Sequence, residues 1–116
     1  MIYVHDVARM ASFYSEILGA SRIDGGETGE WTELGIGEGR LWIHLVGSEW
    51  RDERGVTAPV EVREQSAVKL VISLPPEGRI DKRVQELGGF VIERPWGSDF
   101  CDPEGNVFSV QFGSAT

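Results

Sequence analysis

The chain has 116 residues, of which 41% are hydrophobic and 26% charged, and its formal net charge is −8. That length suits one ordinary domain with a core that needs neither metal nor disulfide, and the acidic balance argues against nucleic acid as a partner. The single cysteine, Cys101, cannot form an internal bridge, and without a long apolar run or a basic-then-apolar start the chain reads as cytoplasmic, with no membrane partner.

Residues 1–5, MIYVH, are rich in β formers and predict a strand. Asp6 follows as an N-cap, and the apolar spacing Val7, Met10, Phe13 or Tyr14, Ile17, Leu18 predicts a helix over 7–18. Gly19 stands where a glycine ends a helix. Three strands are expected next, over 20–24, 31–36 and 40–46, with Gly25-Gly26 and the 35–39 region as turns. In the strand over 40–46, alternation puts Trp42, His44 and Val46 on one face and Leu41, Ile43 and Leu45 on the other. The Leu/Ile/Leu face suits packing under the helix, which leaves Trp42 and His44 facing a cavity. Leu34 suits the helix side in the same way, so Trp31 and Glu33 face the cavity.

Residues 47–66 are charged, carry Gly and Pro, and show no period, so they read as a linker that includes Trp50. The order then repeats. A strand is expected over 68–74, a helix over 78–87 with Ile80, Val84 and Leu87 on one face, and strands over 90–94, 96–101 and 106–112. Asp102–Gly105, DPEG, is a turn with Pro second and Gly fourth. The two helix ends, Leu18-Gly19 and Leu87-Gly88, lie 69 residues apart. The chain therefore reads as strand–helix–three strands, twice: a first module over about 1–46, the linker, and a second module over about 67–116. Even spacing puts Trp96 and Phe100 on one face of one strand, and Val107, Ser109 and Gln111 on one face of the last.

Three segments carry a family likeness: VHDVARMASFYSEILG (4–19), QELGGFVIERPWG (85–97) and FCDPEGNVFSVQF (100–112). Together with the element order, they resemble the glyoxalase/bleomycin-resistance/dioxygenase (vicinal oxygen chelate) superfamily over nearly the whole chain. The resemblance implies an α+β fold of two βαβββ modules whose curved mixed sheets enclose a small-molecule cavity, and a homodimer. It also implies four metal-ligand places, one on each of four strands. The first falls before Met1. The second is filled by His44, a plausible ligand. The third falls near Val68 or Lys69 and the fourth at Ser109, and none of these suits a divalent metal. No metal and no cofactor are therefore expected, which weakens the metal-dependent activities of the superfamily.

No Gly-rich phosphate loop, CxxC, HExxH or GxSxG pattern is present. Cys101, at a strand end with no histidine beside it in sequence, reads as a buried inert thiol. Four tryptophans in so short a chain suggest a cavity or an interface. The expected ligand-binding residues are Trp31, Trp42, His44, Trp96, Phe100 and Ser109. The expected function is metal-free binding of an aromatic or cationic small molecule, such as an antibiotic. The alternative is a metal-dependent lyase, transferase or dioxygenase.

Overall fold

The computed structural model describes residues 1–25, 29–47, 61–64, 68–74 and 80–112. The chain divides into two compact units, Met1–Ala58 and Pro59–Thr116. Each is an α+β module in the predicted order.

In the first module, β1 (Ile2–Val4) leads into α1 (Val7–Leu18), followed by β2 (Ser21–Gly25), β3 (Trp31–Ile36) and β4 (Gly39–Leu45). The carboxylate of Asp6 accepts the amide of Arg9 at 3.0 Å, which satisfies one of the free N–H groups at the helix start. Gly19 ends the helix in the left-handed region, at φ 62°, where a side chain would clash with the backbone. Val7, Met10, Phe13, Tyr14, Ile17 and Leu18 form the buried stripe of the helix, so both aromatics of the Phe13-Tyr14 pair face inward. The sheet order is β1-β4-β3-β2, with β1 parallel to β4 and the other pairs antiparallel. Helix α1 covers the face that carries Leu34, Leu41 and Ile43. Each such buried side chain contributes about 2 kcal/mol of apolar transfer.

The second module repeats the plan with β5 (Leu70–Leu74), α2 (Asp81–Glu86), β6 (Phe90–Arg94), β7 (Gly97–Cys101) and β8 (Val107–Phe112). Its sheet order is β5-β8-β7-β6, again with the first and last strands parallel. Helix α2 is shorter than the predicted span: Leu87 caps it, residues 78 and 79 lie outside the described residues, and Gly88 turns the chain at φ 88°. It packs on β6 and β7 through Ile80 and Val84. The DPEG turn is closed by the Gly105 amide donating to the Asp102 carbonyl at 3.0 Å. The Asp102 carboxylate accepts the amides of Glu104 and Asn106 and the side-chain amide of Asn106. Most of the predicted linker, Trp50 included, lies outside the described residues. Within it, Arg63 forms a bridge to Asn106.

Candidate functional site

In the first module, the sheet face turned away from α1 is aromatic. Cross-strand register sets Tyr3 and Trp31 on either side of His44, and Glu33 opposite Trp42. The indoles of Trp31 and Trp42 stack at 5.3 Å and 19°. Tyr3 meets the His44 ring edge-on at 5.8 Å. The next row along is bare at Gly35, and Ile23 lies over the gap. Trp42 is 38% exposed and Tyr3 60%, so the rings form an open platform rather than a sealed core. His44 Nδ1 lies 2.7 Å from the carbonyl of Leu45. A carbonyl can only accept, so Nδ1 carries the proton, and in the neutral ring Nε2 is left as the acceptor.

The matching face of the second module is ionic. Asp99, 2% exposed, lies at its floor. Its Oδ1 accepts from Ser109 Oγ at 2.6 Å, and its Oδ2 accepts from Lys69 Nζ at 2.7 Å and Arg94 Nε at 3.1 Å. Arg94 Nη2 also donates to Glu64. Burial pushes the Asp99 carboxyl upward, but the bonds from Lys69, Ser109 and Arg94 outweigh it and hold the group below its ordinary value of 3.8. The hydrogen bond to Glu64 raises Arg94 further above its usual range. Cys101 lies at the end of the same strand; burial, and then the charge of Asp102, push its thiol up to about 12.

The profile of the glyoxalase/bleomycin resistance protein/dioxygenase superfamily matches residues 1–110. The chain belongs to this superfamily. Solved structures of similar fold include the fosfomycin resistance protein FosX of Mesorhizobium loti, 18% identical, covering 98% of this chain and 88% of that one, with a TM-score of 0.66. A variant FosX of Listeria monocytogenes, complexed with Mn(II) and 1S,2S-dihydroxypropylphosphonic acid, is 15% identical over 98% and 86%, with a TM-score of 0.69. An integron cassette protein of Vibrio cholerae is 22% identical over 97% and 91%, with a TM-score of 0.61. A comparison with curated proteins found no match.

Within this superfamily fold, the expected site residues fall into separate groups. Trp31, Trp42 and His44 come together on one sheet face. Ser109 lies on the other module, hydrogen-bonded to Asp99. Phe100 is not a cavity residue: it is 2% exposed, pairs with Phe108 across β7 and β8, and meets its ring at 5.7 Å, tilted by 30°, in the core. Trp96 does not share a strand face with Phe100 either. It lies in the turn before β7 and is 78% exposed. The register across β7 and β8 gives the reason: the turn takes one residue more than 102–105, with the Asp102 amide donating to the Asn106 carbonyl, so Cys101 lies opposite Val107, Asp99 opposite Ser109 and Phe100 opposite Phe108. An inward Ser109 therefore requires an inward Asp99. Asp99, Lys69, Arg94 and Tyr3 are the residues that strand patterning alone passed over.

A cavity of about 440 Å³ lies on the helix side of the first module, lined by Ala8, Ala11, Ser12, Ser15, Thr32 and Leu34 among others. Of the expected site residues only Trp31 touches it. The donor chemistry of the second module does not fit the superfamily's divalent metal. Lys69, near the expected third ligand place, carries an ammonium, and the Ser109 hydroxyl at the expected fourth donates to Asp99. Among the described residues, no three His, Cys, Asp or Glu side chains converge.

Proposed function

We propose that the protein binds a small aromatic or cationic molecule, such as an antibiotic, on the Trp31–Trp42 platform, without a metal. The stacked, partly exposed indole pair carries this reading. Trp42 is stacked on Trp31 yet partly exposed to solvent, and Glu33 stands opposite it in register. A cation over an indole gains about 0.5–2 kcal/mol, and the carboxylate adds attraction of the same sign. His44 Nε2 supplies an acceptor beside the rings. The net charge of −8 favours the same ligand class at long range.

Tryptophan fluorescence titrated with planar cationic dyes tests this directly. Trp42→Ala should weaken binding about tenfold. Trp50→Ala, a change outside the described residues, should leave it near the parent value. Equal losses in the two variants would remove the platform from the site. The second reading is a metal-dependent lyase, transferase or dioxygenase, supported by fold likeness to a FosX complexed with Mn(II). Stoichiometric zinc, nickel, manganese or iron in the purified protein, lost in His44→Ala, would select it.

A further inference from the structure

The two modules carry different chemistry at equivalent places. Tyr3 pairs with His44 and His44 with Trp31 in the first; Val71 pairs with Ser109 and Ser109 with Asp99 in the second. Where one has rings, the other has a carboxylate gripped by two cations. The orientation of that cluster gives it a function of its own. The Asp99 side chain is 3% exposed, whereas Lys69 is 41% and Arg94 21% exposed. The negative charge is sealed at the floor, and the two cationic side chains are the more exposed members of the cluster. Both carboxylate oxygens already accept hydrogen bonds, Oδ1 from Ser109 and Oδ2 from Lys69 and Arg94. A solute reaching this face therefore meets N–H donors before it meets the acid.

The geometry points to an oxyanion-binding site formed by Lys69 and Arg94 on the second module, for a small organic acid or phosphate ester with an apolar body. The two cationic heads share Asp99 Oδ2, so they lie within about 6 Å of each other, a span that one oxyanion bridges. An ammonium has three donors and a guanidinium five, more than Asp99 and Glu64 consume. Glu64, the second acid on Arg94, is 50% exposed, so its grip is weakened by water and salt and an incoming oxyanion can take its place. Apolar shoulders stand on the same sheet face. Val71, 58% exposed, pairs with Ser109, and Phe90, 41% exposed, lies two residues from Ile92, the partner of Asp99. The chain as a whole repels anions, so affinity here must be local. This site is independent of the aromatic platform, which belongs to the other module and takes the opposite charge.

The test is an amide-resolved NMR titration of the whole chain at fixed ionic strength with benzoate, phenyl phosphate and inorganic phosphate. Saturable shifts centred on Lys69, Val71, Arg94, Asp99 and Ser109 are expected for the two organic probes. Inorganic phosphate, lacking the apolar body, should bind several-fold more weakly. The ratio of benzoate to phenyl phosphate affinity distinguishes a carboxylate site from a phosphate site. Lys69→Met should weaken the organic probes at least tenfold. Glu64→Gln removes the competing acid and should tighten them several-fold, a gain that a misfolded variant cannot mimic. Non-saturating or scattered shifts, or affinities unmoved by both substitutions, overturn the site. Since the dye titration reads the first module, either proposal can fail alone.

Discussion

Asp99 ties three side chains together through two oxygens, and the consequence is a pH signature. Its folded pKa lies below the ordinary 3.8. A depressed carboxyl stabilises the fold fully above the unfolded pKa and loses that contribution as pH falls through the folded value. The stability gap between the parent and Asp99→Asn, measured by urea unfolding, should therefore be at its full size above about pH 5 and close as pH falls towards about 2. A gap independent of pH would mean that the ion pairs contribute little. Cys101 shows the opposite shift. A thiol raised to about 12 and fully buried has almost no thiolate at neutral pH. A disulfide reagent at pH 8 should label it only after denaturation, and prompt labelling of the folded chain would refute its burial. Cys101 was readable from the sequence because a lone thiol at a strand end beside a turn has few fates. Asp99 was not, because a carboxylate in a strand looks like surface until its partners Lys69, Arg94 and Ser109 are known.

At the level of elements, α1 carries its own boundaries. Asp6 caps the first turn and Gly19 stops the last. Asp6→Ala should cost about 1 kcal/mol of unfolding free energy, and Asp6→Asn or Asp6→Ser should recover most of it. Circular-dichroism melts of the three variants would check this, and no loss in Asp6→Ala would mean that packing alone fixes the helix start. The sequence marked α1 to the residue because cap, apolar stripe and stop agree there. Helix α2 was blurred for the converse reason. It has no side-chain N-cap bond and only six residues, so its extent is decided by the fit of Ile80 and Val84 against β6 and β7 rather than by local signals. The strand at 97–101 shows a third case. Its alternation was plain, but alternation does not say which face points inward. Phe100 and Asp99 resolve that against intuition: the phenyl ring goes to the core with Phe108, and the acid goes to the open face with Lys69 and Arg94.

Over the whole molecule, the duplicated order of elements proved to be a duplicated sheet topology, with the same strand order and the same parallel pair in each module. That was legible from the sequence because helix ends and turns recur at matching places, although few residues do. Among the described residues, the outer strands of each four-stranded sheet pair on one edge only, and apolar side chains such as Tyr3 and Val71 are exposed on them. A second copy that covers these surfaces makes a dimer the expected species in light scattering at micromolar concentration. A monomer at every concentration would count against it.

The parallel pairing has one more effect, on the order in which the chain can be made and unmade. Within each sheet, the first strand's neighbour is the last strand, Ile2–Val4 against β4 and Leu70–Leu74 against β8. During synthesis the opening strand must wait, unpaired, until some forty residues later its partner has left the ribosome. In the finished protein the same arrangement makes damage travel: clipping Val107–Phe112 from the far end strips β5 of its neighbour in the sheet, so a cut near residue 107 is felt at residue 70.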